Sequence, residues 1–165
     1  MHVFRLVAVS AVAAVTVTLA GCGDAPGERQ VLRVASGYIV APATPDRPAA
    51  AYFTIEGGSA PVDLVAVTAD LAQRVEMHET VREDGMTSMR ELARAPVPVQ
   101  GKLEFKPGAK HVMLWGINGA AIRAEYLPMV FIFSNNDRIM FDMTIKTPDA
   151  AAKGGAKAGD EHRGH

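Results

Sequence analysis

The chain of 165 residues has a single cysteine, Cys22. That scarcity excludes an internal disulfide framework and a cysteine-rich zinc site. It also excludes a blue-copper centre in the folded part, because such a centre needs a cysteine thiolate. An excess of either charge is lacking too: 17 basic residues against 18 acidic ones leave a formal net charge of −1. No basic excess argues for nucleic acid, and no acidic run argues for a cation sponge. Aromatic residues make up only 6% of the chain, while 15 glycines and 10 prolines punctuate it. That balance favours strands and turns over long helices. No Ser/His/Asp spacing, glycine-rich phosphate loop or carboxylate pair stands out, so the chain is not expected to be an enzyme.

What is present begins with a leader. Arg5 precedes an apolar run from Leu6 to Ala20, followed by Leu19-Ala20-Gly21-Cys22. A charged start, a short apolar core and small residues at the cut describe a secretory signal. The run is short for a spanning helix and has no stop-transfer flank. The Leu-Ala-Gly-Cys tetrad resembles the bacterial lipobox. That resemblance implies cleavage before Cys22 and lipid modification of the cysteine. The alternative is an ordinary signal peptide with Cys22 left as a free thiol. Residues 1–21 are thus expected to be the signal, and residues 22–30 a polar tether between lipid and domain. The protein is expected on the periplasmic side, held to a membrane through its lipid.

From residue 31 the chain reads as short strands separated by turns. Strands are expected over Val31–Val40, Ala49–Glu56, Val62–Thr68, Arg74–Thr80, Met86–Leu92, Lys102–Phe105, Lys110–Ile117, Pro128–Ser134 and Arg138–Lys146. In the last of these Ile139, Phe141, Met143 and Ile145 share one face. Glu83-Asp84-Gly85, Lys106-Pro107-Gly108 and Asn135-Asn136-Asp137 are turn signals, and Pro96 and Pro98 interrupt the pattern. Regular short strands of this kind imply an all-β sandwich or barrel. One domain is expected over residues 31–147. After it the composition collapses to Ala, Gly, Lys, Asp and Glu, so residues 148–165 are expected to form a disordered tail.

The segment from Met77 to Met113 holds two of the five histidines and four of the eight methionines. Ten residues separate His78 from Met89, twenty-one separate Met89 from His111, and Met113 follows two positions later. Imidazole and thioether form a soft ligand set that favours Cu(I), whereas carboxylate-rich sets favour Mg²⁺, Ca²⁺ or Mn²⁺. On a strand, residues i and i+2 point to one face, roughly 6.6 Å apart. His111 and Met113 can therefore lean towards one ion while Val112 turns away. A hairpin through Glu83-Asp84-Gly85 is expected to bring His78 and Met89 opposite each other. Outside the cytoplasm thiolates oxidise, whereas thioethers neither pair into disulfides nor need deprotonation. Taken singly, a methionine on a strand is ordinary core filler and a lone histidine near apolar residues is usually satisfied or on the surface; the same-face pair His111 and Met113 strengthens the copper reading, and a family resemblance in the spacing of all four strengthens it further.

That spacing resembles the periplasmic copper(I) chaperone family known as PCuAC, whose hallmark is H-x10-M-x21-H-x-M. All four positions and all three gaps agree. Ala50 to Ile55 also looks like the family's A-A-Y-F-T-I strand, and the likeness covers roughly residues 31–147. The resemblance implies a cupredoxin-like (immunoglobulin-like) β-sandwich and a Cu(I) site at His78, Met89, His111 and Met113. It further implies delivery of copper towards respiratory oxidase assembly. The recipients it suggests are cytochrome c oxidase subunit II or another periplasmic copper chaperone. Tyr38 stands where the family often has tryptophan, and Gly57-Gly58 replaces a more usual Asn-containing turn. Met77 and Met86 are extra sulfurs expected to serve in packing or to lie exposed. Trp115 is expected in the core, and Arg90 and Arg94 on a solvated face.

Two histidines remain, His162 and His165, beside Asp160 and Glu161. Imidazole with carboxylate suits Cu(II), so the tail is a candidate second site; a charged solubilising tail is the alternative. Three other functions compete with the carrier reading. They are a copper-handling redox protein, a copper-tolerance or storage lipoprotein, and a scaffold that binds no metal.

Overall fold

Ala-Ala-Ala-Tyr-Phe-Thr-Ile-Glu, residues Ala49–Glu56, buries every second side chain. This period-two alternation marks a strand with one face on a core. The computed structural model describes residues 30–44 and 46–151. The expected signal, Cys22, His162 and His165 lie outside the described residues, as does most of the tether.

Ten strands follow one another: β1 (Arg33–Val40), β2 (Ala49–Glu56), β3 (Val62–Thr68), β4 (Arg74–Glu83), β5 (Met86–Glu91), β6 (Ala95–Val97), β7 (Lys102–Phe105), β8 (Lys110–Trp115), β9 (Tyr126–Phe133) and β10 (Arg138–Lys146). A short helix, α1 (Gly119–Ala124), precedes β9. Two of these elements differ from the sequence expectation. The stretch around Pro96 pairs with β3 as the short strand β6, which an edge position permits for proline. Beyond the strand expected over Lys110–Ile117, no helix was expected; the Asn118 side chain accepts a hydrogen bond from the Ala120 amide at 2.8 Å and so caps α1. At the other end, residues 148–151 form a helical turn, with the Ala151 amide 3.0 Å from the Thr147 carbonyl.

The strands join in one hydrogen-bonded path, β5-β4-β8-β2-β1-β10-β9-β3-β6, with β7 pairing on the free length of β2 beyond β8. β1 and β10 run parallel; the other pairs are antiparallel. The path folds over on itself. Phe53 of β2 meets Phe131 of β9 edge-on, 4.8 Å between ring centres, although β1 and β10 lie between them in the sheet. Phe105 stacks on Phe53 at 4.3 Å. Leu64, Leu114, Leu127, Met129 and Met143 close the core around these rings. Each such fully buried side chain contributes roughly 1.5–3 kcal/mol relative to exposure. The result is a nearly all-β, cupredoxin-like sandwich.

Candidate metal site

The β4–β5 hairpin turns on two residues, Asp84 (φ 51°) and Gly85 (φ 78°). Positive φ at both central positions is the signature of a type I′ turn, which suits the twist of the flanking strands. The pair Glu83↔Met86 closes it and fixes the register outward: Thr80 lies opposite Met89, and His78 opposite Glu91. His78 and Met89 are therefore not directly opposed, as expected from sequence. They share a face but sit two positions out of step.

The direct partner of His78 lies on its other side. β8 pairs with β4 so that His78 faces His111 and Glu76 faces Met113. The two imidazoles lie nearly parallel, 21° between planes and 6.0 Å between ring centres. Met113 and Met89 are both diagonal neighbours of His78, at a separation of roughly 7–8 Å that long side chains can bridge. By strand parity all four candidates share one face of β5-β4-β8, while Met77, Val112 and Leu114 point to the core. The face is graded in exposure: His111 is 8% exposed, His78 and Met113 are partly buried, and Met89 is 61% exposed.

The hydrogen bonds around the imidazoles are unequal. His111 Nδ1 lies 3.0 Å from the carbonyl oxygen of Ala109. A carbonyl only accepts, so Nδ1 carries the proton and Nε2 keeps its lone pair. His78 Nε2 lies 3.1 Å from Glu76 Oε2, while His78 Nδ1 is buried with no hydrogen-bond partner. Buried polar atoms are nearly always paired. An orphaned nitrogen on this face, beside a second imidazole and two thioether positions, is a free donor to a cation. Zinc–imidazole bonds of about 2.0 Å set the scale; rings 6.0 Å apart can address one ion. The donor types on this face, two imidazoles and two thioethers, are soft ones. Among the described residues no group of three His, Cys, Asp or Glu side chains is placed to hold a metal.

Three neighbours went unnoticed in the sequence as parts of this face. Glu76 contacts His78 on one side and Arg74 Nε on the other, at 3.5 Å. The Arg74 guanidinium lies 3.8 Å from the ring centre of Trp115, and Trp115 sits 6.3 Å from the His78 ring. Trp115 was expected in the core. It lies at the edge of the site because it has the same strand parity as His111 and Met113. That parity was available to find it, as was the two-residue step from Glu76 to His78. Met77 packs into the core and Met86 is exposed on the opposite face of β5, so neither extra sulfur joins the set. Arg90 donates to Glu79 directly across the hairpin, 3.1 Å from Nε. This hydrogen bond, against some burial, helps hold the Glu79 carboxyl below its ordinary range, with the charges of Arg90 and Lys110 adding to it.

Comparison with known proteins places this fold. The copper-bound PCuAC domain from PmoF2 superimposes with a TM-score of 0.58 at 16% identity, over 73% of this chain and 96% of that domain. The solution structure of apo-DR1885 from Deinococcus radiodurans gives a TM-score of 0.52 at 22% identity, over 88% of this chain and 95% of that one. The protein named Putative lipoprotein Lxx21020, from Leifsonia xyli subsp. xyli, is 26% identical over 152 residues, spanning 86% of this chain and 90% of its own length. The fold is thus that of PCuAC domains. Residues 32–145 match the family model described as Putative lipoprotein LpqE-like, and the chain belongs to this LpqE-like family.

Proposed function

We propose that this protein is an extracytoplasmic copper(I) carrier, anchored to a membrane through a lipid on Cys22. It would hold one Cu(I) between His78, Met89, His111 and Met113. The observation that carries the reading is the in-register pairing of His78 with His111, 6.0 Å between ring centres, with both thioether positions on the same face. The donor set supports Cu(I) over harder ions. The copper-bound state of the PmoF2 domain of the same fold supports it further. A carrier has to bind tightly yet let go. Two sheltered imidazoles with one exposed thioether suit that task, since an incoming donor can displace Met89 before the histidines. The recipient would be a copper-accepting protein such as cytochrome c oxidase subunit II or another copper chaperone. No step of catalysis is assigned to the chain.

Lipid attachment is supported by the tetrad ending at Cys22 and by the lipoprotein description of the family. Among the described residues no helix is long and apolar enough to cross a membrane. The deciding experiment is anaerobic titration with Cu(I) against a competing chelator, joined to X-ray absorption of the loaded protein. One Cu(I) per chain with nitrogen and sulfur neighbours is expected. An affinity unaffected by replacing Met89 or His111 would overturn the assignment. Voltammetry of protein ending at Pro148 separates a carrier, which should favour Cu(I) strongly, from a redox protein that tolerates both states.

A further inference from the structure

The two histidines make their hydrogen bonds through different ring nitrogens. His111 donates from Nδ1 to the Ala109 carbonyl, which leaves Nε2 free. In His78 the contact is reversed: Nε2 faces the Glu76 carboxylate at 3.1 Å, and Nδ1 is buried and unpartnered. An ionised carboxylate only accepts hydrogen bonds, so Nε2 must carry the proton.

We infer that Glu76 is a positioning residue that locks His78 in its Nε2–H tautomer, so that the metal is met by Nδ1 of His78 and by Nε2 of His111. This rests on the copper reading above. Glu76 is itself held in place. Its other carboxylate oxygen lies 3.5 Å from Arg74 Nε, and the Arg74 guanidinium lies 3.8 Å from the Trp115 ring centre. All of these residues share the face that bears the candidate ligands, because Arg74 pairs with Trp115 and Glu76 with Met113 across β4 and β8. Carboxylates that take the free N–H of a metal-binding histidine fix its tautomer and ring orientation and raise its basicity.

The test is long-range proton–nitrogen NMR on the metal-free protein, above the ordinary histidine titration range. His78 should show the Nε2–H tautomer and His111 the Nδ1–H tautomer. Glu76→Gln keeps an oxygen acceptor, so the His78 tautomer should persist and Cu(I) affinity should fall less than ~10-fold. Glu76→Ala should return His78 to a mixture, leave His111 unchanged and lower Cu(I) affinity by ~10–100-fold. In the loaded wild type the metal-shifted nitrogens should be Nδ1 of residue 78 and Nε2 of residue 111. An Nδ1–H tautomer at His78, or a Glu76→Ala protein with unchanged tautomer and affinity, overturns the inference. A wild type that binds no Cu(I) but keeps the two expected tautomers would sink the copper reading rather than the role of Glu76.

Discussion

Two of the eight methionines offer the sharpest contrast. Met89 is 61% exposed on an edge strand and Met129 is 0% exposed in the core. Replacing Met89 with leucine conserves apolar volume and removes only the thioether. Surface substitutions of this kind stay within about 0.5 kcal/mol, so the melting temperature should move by no more than roughly 2 °C. Copper binding should respond very differently. Loss of a residue that merely supports a ligand costs ~10–100-fold in affinity. Loss of a ligand itself should reach the upper end of that range or beyond, about 2.8 kcal/mol at 1.4 kcal/mol per decade. Met129→Ala inverts both effects. Truncating a fully buried methionine costs about 2–5 kcal/mol and should lower the melting temperature by roughly 8–20 °C. The folded fraction should still bind Cu(I) as the wild type does. The assays are thermal unfolding by circular dichroism and anaerobic competition with a Cu(I) chelator. Equal affinity of the Met89→Leu protein and the wild type would refute the argument, because a solvent-exposed thioether has no other means of affecting binding.

Further outcomes follow from other parts of the molecule. A Cβ added at Gly57 would clash with the Pro98 carbonyl oxygen; backbone cannot swing aside, so Gly57→Ala should cost about 1–3 kcal/mol, read as a lower urea midpoint at unchanged slope. Burial pulls the Glu56 carboxyl up, but Arg33, Lys102 and Gln30 outweigh it and hold it below its ordinary value. A carboxyl depressed in the folded state stabilises above its unfolded value of about 4.3 and loses that contribution as pH falls through the folded one. Glu56→Gln should therefore be less stable than wild type at neutral pH, the gap closing in acid, with urea midpoints across pH as the measure. For the tail, Cu(II) titration of protein ending at Pro148 should show one equivalent fewer than the full chain if His162 and His165 bind; equal stoichiometry removes them from copper handling.

Much of the fold was legible because alternation is a local property. The bounds of β2, β7 and β10 could be read from period-two patterning and turn residues, since a half-buried strand needs only its own side chains to declare its face; those of β3, whose alternation a bulge breaks, came from its β-branched and apolar content. The misses had two different causes. β6 contains a proline and becomes a strand only because β3 offers its edge. The capped helix α1 is short, and its signal is a single Asn118 that also reads as a turn.

The site divides along the same line. Soft residue types, and the resemblance of their spacing to the copper-chaperone pattern, singled out four candidate donors, and strand parity placed His111 and Met113 on one face. The two-residue turn at Asp84-Gly85 even contained the true hairpin register, with Met89 opposite Thr80, for anyone counting outward from Glu83. Only the tertiary structure could decide that β8, some thirty residues further along, would pair with β4 and set His111 against His78. Nothing in the local chemistry of either strand specifies its partner; the choice is made by the shared core under Met77, Val112 and Leu114. The hydrogen bonds that orient the two imidazoles differently follow from that pairing, because which nitrogen is left free depends on what each ring finds beside it.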